Sequence, residues 1–201
     1  DYKYFNSFSL FDNKLNLIHS YEKNNLVPFG EFLPLERLMQ KFGFKTITNN
    51  FGSFTKGDSR DIIVIRNDIH KLKFLPLICY EIIYSGNLTK NHDFDFILNI
   101  SEDGWFGKSI GPKQHFVHSI FRAIETGKYV VRTANNGMAA IINPLGEIEE
   151  KIDYGEVGFV DFKERRDIDP TFFSLYGNKI FVFLILLYIF LIFSFNRIKN
   201  E

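Results

Sequence analysis

The sequence has little of what builds a stapled or metal-bound protein. A single cysteine, Cys79, excludes an intrachain disulfide. His115 and His118 stand three apart, but no further ligands at zinc-site spacing accompany them, so packing or surface roles are expected of both and no metal or other cofactor is expected. Charge of one sign is also missing. The 24 Lys and Arg balance 24 Asp and Glu, so there is no global basic field for nucleic acid and no acidic excess of the kind that leaves a chain disordered. Repeats and low-complexity segments are absent. The chain starts at Asp1 rather than a methionine and residues 2–11 already read as a strand, so the natural N-terminus is expected upstream.

What is abundant is phenylalanine, 24 of 201 residues, partly gathered near the C-terminus. Residues 4–11 and 15–20 flank the turn-prone Asp12-Asn13-Lys14 and predict a hairpin. Leu35, Leu38, Met39 and Phe42 repeat with helical spacing up to Gly43, and residues 49–59 have loop composition. Strands are predicted over residues 62–65, 72–78, 94–100, 129–133, 139–142 and 158–162. Pro112 opens a helix that runs to Thr126, with Phe116, Val117, Ile120 and Ile124 on one face and Gly127 as its stop. Arg122 and Glu125, i and i+3, predict an ion pair on the face of that helix. Strands and helices thus intermix, which predicts a layered α/β sandwich.

The tail differs in kind. Residues 180–195 are sixteen residues, all apolar but one serine and without a charge. A span takes roughly 20 residues, with 17 as the lower bound, so the run is slightly short, yet it shows no polar face. A transmembrane helix is expected. Arg197 and Lys199 follow it and place the C-terminus on the cytoplasmic side, although Lys179 and the basic residues near 165 weaken that orientation.

Chemistry gathers at Cys79. The apolar run before it reads as a buried strand, so the thiol stands where a strand leaves the core, followed by Tyr80 and Glu81. Lys23 and Glu31 flank the turn-constrained Leu26-Val-Pro-Phe-Gly, which would pack down and fix both charges. A lysine near a thiol raises its thiolate fraction and stabilises an oxyanion when the thiolate attacks a carbonyl. A carboxylate nearby holds the lysine or moves protons. Cys, Lys and Glu together suit acyl transfer without a metal. Trp105 and Phe106, set among glycines, divide between lining an acyl-chain pocket or bilayer contact and plain core packing. Asn135, Asn136 and Gly137 read as a turn that braces the cysteine strand.

In order and spacing, Tyr21-x-Lys23-x-x-Leu-Val-Pro-Phe-Gly-Glu31, Ile78-Cys-Tyr-Glu81, Trp105-Phe-Gly107 and Thr133-x-Asn-Asn-Gly137 resemble the C-terminal part of the bacterial apolipoprotein N-acyltransferases, membrane-bound members of the nitrilase (carbon-nitrogen hydrolase) superfamily. The lysine loop and the Cys-Tyr-Glu turn indicate only the superfamily; the Leu-Val-Pro-Phe-Gly-Glu string, the Trp-Phe-Gly segment and the apolar tail narrow it. The resemblance implies a nitrilase-like α-β-β-α sandwich over residues 1–170, incomplete at its N-terminus, and a C-terminal transmembrane helix with a short cytoplasmic tail over residues 171–201. It implies Cys79 as nucleophile and Lys23 as catalytic lysine, with Glu31, Glu81 and Tyr80 in support and Trp105 and Phe106 as a possible substrate pocket. By analogy the backbone N–H after Cys79 and the Lys23 ammonium face the developing oxyanion.

The implied partners are a phospholipid acyl donor, a diacylglyceryl apolipoprotein acceptor and the membrane, with the protein a monomer in the bacterial inner membrane and its catalytic head in the periplasm. Two features depart from the pattern. The family's glutamate base and helical bundle precede everything matched here, so the 201 residues alone are expected to be inactive. Glu102 also stands where an amide residue is usual. A soluble nitrilase-like amidase, and a dead remnant or binding half, are the competing expectations.

Overall fold

The computed structural model describes residues 2–43, 53–66, 71–86, 88, 89, 91–163 and 166–199. Among the described residues eight strands form two sheets: β1 (Ser7–Phe11) and β2 (Leu17–Glu22) make an antiparallel pair. The remaining strands, β3 (Ile63–Arg66), β4 (Lys71–Ile78), β5 (Phe96–Glu102), β6 (Tyr129–Asn135), β7 (Ala139–Ile142) and β8 (Ile148–Ile152), lie in chain order in a six-stranded sheet. Its centre is parallel, β4 to β5 to β6, and its flanks are antiparallel. Strands buried on both faces read as continuous apolar runs, and Phe74 to Ile78 of β4 are all buried. The parallel ladder aims the carboxyl ends of β4, β5 and β6 at one edge. That edge is where open α/β sheets place their chemistry.

The sheet carries a core on each face. On one face Leu75, Leu77, Ile97, Val130 and Ile142 meet Phe116 and Ala123 of a helix, α2 below. On the other, Phe74, Ile78, Phe96, Tyr129 and Ile141 meet Tyr21, with Phe8 and Leu10 of β1 packed alongside. Phe74 stacks on Phe96 at 5.6 Å between ring centroids. A helix layer, a sheet and part of a second sheet are thus present, as expected for three layers of a nitrilase-like α/β sandwich.

The first helix, α1 (Glu36–Lys41), forms as predicted, but it buries none of its residues. The long α2 (Gly111–Thr126) starts with proline and ends at Gly127, whose φ of 67° and close approach to the Ile168 carbonyl both require glycine. Its inner face differs from the predicted one. Val117 and Ile124 are exposed, whereas His115, Ser119, Arg122, Glu125 and Thr126 are buried beside Phe116 and Ala123. Polar side chains face inward because partners wait there. The Arg122–Glu125 pair forms at 3.0 Å, buried rather than on an open face. Glu125 also accepts from Ser85 Oγ (2.8 Å) and Gly86 N (2.6 Å), and its own carbonyl accepts from Thr171 N and Oγ1.

The strand predicted over residues 158–162 does not form. Val160 and Phe162 pack on the core without joining the ladder, and β8, which sequence reasoning passed over, takes the edge as an exposed, charged strand. The turn near Asn67 and Asp68 lies outside the described residues, as does part of the loop over residues 49–59.

Thr171 caps α3 (Phe172–Tyr176) by accepting from Ser174 N, and α4 (Lys179–Lys199) follows. Its described side chains are exposed almost throughout, including Phe181, Leu186, Phe190 and Phe193. Among the described residues no helix is long and apolar enough to cross a membrane. The charge-free run of sixteen residues is about 24 Å long at 1.5 Å per residue, against a hydrocarbon core of roughly 30 Å.

Candidate active site

Cys79 begins a 3₁₀ turn (Cys79–Ile83) directly after β4. Its φ is +52°, a left-handed conformation that an L-residue adopts only under constraint, at a penalty of roughly 1–2 kcal/mol. The bend turns a half-buried thiol out of the strand line, with Sγ 4.0 Å from the Glu102 carbonyl.

Glu81, fully buried two residues on, closes this turn against the lysine loop. Its Oε2 accepts from Ile78 N at 2.9 Å, and its Oε1 accepts from Asn24 N (3.1 Å), Asn25 N (2.9 Å) and Arg60 Nη2 (2.7 Å). Tyr21 donates its hydroxyl to the same carboxylate at 2.8 Å. Burial, reinforced by the Glu81 charge, pushes the Tyr21 phenol up to about 12. Arg60 joins more of the assembly, donating to Asn25 Oδ1 (2.6 Å), the Leu88 carbonyl (2.9 Å) and Tyr21 Oη (3.2 Å). Burial pulls its guanidinium down, but the charges and hydrogen bonds of Glu81 and Tyr21 together outweigh this and the net shift is upward.

Lys23 is 1% exposed, adjacent to the two backbone amides that Glu81 holds. Its Nζ pairs with Glu31 Oε1 at 2.8 Å, and Glu31 accepts further from Asn6 Nδ2 (2.7 Å) and Val27 N (2.9 Å). Buried charges persist only when paired and hydrogen-bonded, and both conditions hold here. The carboxylates of Glu31 and Glu81 are thus occupied as acceptors, which suits them to holding other groups. A cleft of about 420 Å³ opens beside this loop, lined by Asn24, Asn25, Leu26, Phe32, Leu33 and Phe54 among others.

Behind the cysteine turn lies a second buried cluster that sequence reasoning missed. Arg132 of β6 donates to Asn99 Oδ1, and Nη2 donates to Asp103 Oδ2 at 2.7 Å. Asp103 Oδ1 lies 2.8 Å from His115 Nδ1 and accepts from Ser101 Oγ at 3.0 Å. His115 Nε2 is 3.2 Å from the Cys79 carbonyl, and Asn99 Nδ2 donates to the Leu77 carbonyl at 3.0 Å and to that of Cys79 at 3.4 Å. Burial pushes the Asp103 carboxyl up, but the His115 hydrogen bond and the Arg132 charge outweigh it and hold it below the usual carboxylate range. Lone polar residues inside apolar strands, Asn99 in β5 and Arg132 in β6, were the available signal.

The remaining expected residues fall around these two clusters. Tyr80 lies against His115 (centroids 6.2 Å) and, with Ile83, Phe106, His115 and His118, lines a cleft of about 150 Å³. Phe106 therefore borders a cavity beside the cysteine turn. Trp105 is 64% exposed, which removes the core-packing reading for it. Asn135 and Asn136 donate to Glu102 rather than to the cysteine strand, and Glu102 Oε1 also accepts from Gly104 N. Gly137 stands against Asp103, where a Cβ would lie 2.3 Å from Oδ2. The expected brace thus acts on the loop after β5. Among the described residues no group of three or more His, Cys, Asp and Glu side chains could hold a metal ion.

A family model described as carbon-nitrogen hydrolase matches residues 1–161. The apolipoprotein N-acyltransferase of Rhizobium etli is 40% identical over 160 residues, 79% of this chain and 29% of that protein. The protein of the same name from Rickettsia bellii is 39% identical over 194 residues, 96% of this chain and 38% of that protein. The chain therefore spans about a third of the length of the curated relatives it matches. A solved carbon-nitrogen hydrolase superfamily protein from Xanthomonas campestris shares the fold, with a TM-score of 0.52 at 18% identity over 76% of this chain and 54% of that one.

Proposed function

The chain belongs to the carbon-nitrogen hydrolase family, and from that premise we propose that it forms the greater part of the catalytic domain of an apolipoprotein N-acyltransferase, with Cys79 as nucleophile and Lys23 as the cation beside it. The observation that carries this reading is the buried carboxylate of Glu81, which ties the strained cysteine turn to the amides next to Lys23. Relatives of that name at 39–40% identity support the substrate class.

In the first half-reaction the Cys79 thiolate attacks an ester carbonyl of a phospholipid. The carbonyl oxygen takes the negative charge and is met by the Lys23 ammonium and the Tyr80 N–H. Collapse breaks the ester C–O bond, the proton from the thiol goes to the departing lysophospholipid alkoxide, and a thioester remains. In the second, the α-amino group of a diacylglyceryl-cysteine attacks the thioester, loses one proton as the amide forms, and returns the thiolate. A thioester suits this order because an amine attacks it more readily than an oxygen ester. The proton carrier in both steps is a base that the family supplies from a segment ahead of the residues matched here.

The exposed apolar face of α4 supports placement at a membrane. Lys179 and the cationic residues after position 196 bracket its charge-free run, a pattern that favours seating a short apolar helix at the bilayer, where local thinning accommodates a run below the full span. We place the catalytic head on the periplasmic side, with Phe106 and exposed Trp105 toward the acyl chain.

The test is intact-mass analysis of the whole protein after incubation with phospholipid vesicles. A single acyl adduct on Cys79 is expected, absent in Cys79→Ala and slowed at least about 100-fold in Lys23→Met. An adduct that persists in Cys79→Ala, or a normal rate in Lys23→Met, overturns the assignment of that residue. Release of ammonia from simple amides with no lipid adduct would instead establish an amidase.

A further inference from the structure

We infer that His115 is a positioning residue that aims the oxyanion-binding N–H of Tyr80 by gripping the carbonyl of Cys79. The inference rests on the reading of Cys79 as nucleophile. A carbonyl only accepts, so at 3.2 Å it is His115 Nε2 that carries the hydrogen to Cys79 O. The peptide joining Cys79 to Tyr80 is planar and trans, since no cis bond occurs among the described residues. In such a unit C=O and N–H point in opposite directions. Fixing where the Cys79 oxygen points therefore fixes where the Tyr80 N–H points. That N–H lies in the first residues of a 3₁₀ turn, among donors that the turn itself cannot partner.

The grip is anchored from behind. Arg132 reaches the Cys79 carbonyl by two routes, through Asn99, and through Asp103 and His115. Asp103, His115 and Arg132 are each at most 3% exposed, so their geometry is not loosened by water. The arrangement also accounts for the positive φ of Cys79. A strained backbone persists only where its surroundings over-determine it, and two donors on one carbonyl do this.

Glutamine and asparagine at position 115 separate this role from simple packing. The amide nitrogen of Gln reproduces Nε2 and can donate to Cys79 O. The amide nitrogen of Asn reproduces Nδ1 and can bond only Asp103. Two rates are measured on the whole protein: acyl-thioester formation from phospholipid vesicles, and alkylation of Cys79 by iodoacetamide, read by peptide mass. Alkylation passes through no oxyanion, so it reports the thiol without the Tyr80 N–H. Thermal unfolding accompanies both.

For His115→Asn, acylation is expected to slow about 10- to 100-fold in kcat with KM little changed, a smaller effect than outright loss of an oxyanion donor. Alkylation is expected to stay within about twofold of the wild type. His115→Gln is expected to restore acylation to within about threefold. Should His115→Ala fail to fold, the Gln and Asn variants decide the matter alone. Acylation in Asn equal to or faster than in Gln overturns the proposal, as does parallel loss of acylation and alkylation. A wild-type protein that forms no acyl adduct overturns the underlying reading of Cys79 before any variant is made.

Discussion

Replacing Glu81 by glutamine removes one charge and almost no volume, so its effect isolates the carboxylate. Glu81 is completely buried and its ion-pair partner Arg60 keeps only 7% of its side chain exposed. Deleting one partner of a buried pair leaves the other uncompensated, which destabilises by about 3–5 kcal/mol. The glutamine cannot evade this by rotating, because both carboxylate oxygens accept from backbone N–H groups: Ile78 on one, Asn24 and Asn25 on the other. Whichever end becomes the amide NH₂ confronts a donor. At about 2–4 °C per kcal/mol for a chain of this size, the unfolding midpoint falls by about 6–20 °C. The assay is thermal unfolding in mild detergent, followed by circular dichroism. Adding Arg60→Met to Glu81→Gln removes the stranded cation, so the double variant is expected to lose less than the sum of the singles by at least about 1.5 kcal/mol. A loss below about 1 kcal/mol in Glu81→Gln, or strict additivity in the double variant, refutes the account of Glu81 as the tie between the two loops.

Three further outcomes follow from the same geometry. Gly137→Ala places a Cβ 2.3 Å from Asp103 Oδ2 and is expected to lower stability by about 1–3 kcal/mol, read by thermal unfolding; a neutral result would mean that Asp103 is not held in place. Asp103 has a folded value below its ordinary 3.8, so its contribution is complete above that value and is lost as pH falls through the lower folded one; an acid unfolding limb that is unchanged in Asp103→Asn contradicts this. Tyr21 is shifted the other way, from 10.0 to about 12, so its contribution is complete below pH 10 and is lost as pH rises toward 12. Tyr21→Phe should flatten that alkaline limb, and an identical limb in the variant would remove Tyr21 as its cause.

The parallel centre of the sheet was legible because β4, β5 and β6 are covered on both faces and so read as mostly apolar runs, broken within β5 by Asn99 and within β6 by Arg132. The limits of α2 were legible because Pro112 and Gly127 act through local backbone geometry. Its inner face was not. A helix face is normally recognised by apolar spacing, and here Ser119, Arg122 and Glu125 turn inward toward partners far away in sequence. β8 escaped notice because an edge strand that faces solvent with Glu149, Glu150 and Lys151 has no apolar alternation to detect. Residues 158–162 misled for the converse reason: Val160 and Phe162 bury their side chains without pairing their backbone.

In the site, Cys79, Lys23, Glu31 and Glu81 stood out because they lie in compact motifs. Arg60, Asp103 and His115 did not, since each acquires its role from a neighbour 12 or more positions away. The Arg60–Glu81, Asp103–Arg132 and His115–Cys79 contacts exist only once the sheet has closed.

Glu125 links the segment just beyond the cysteine turn, through Ser85 and Gly86, to Thr171 at the head of the C-terminal helices. Mechanically it is a strut of one side chain and a few hydrogen bonds, and it ties the segment that follows Cys79 to the head of the C-terminal helices. A carbonyl that lies at a fixed depth in a layered substrate can be met without a search along that axis. Only sliding and rotation in the plane remain, and a three-dimensional encounter is reduced to a two-dimensional one.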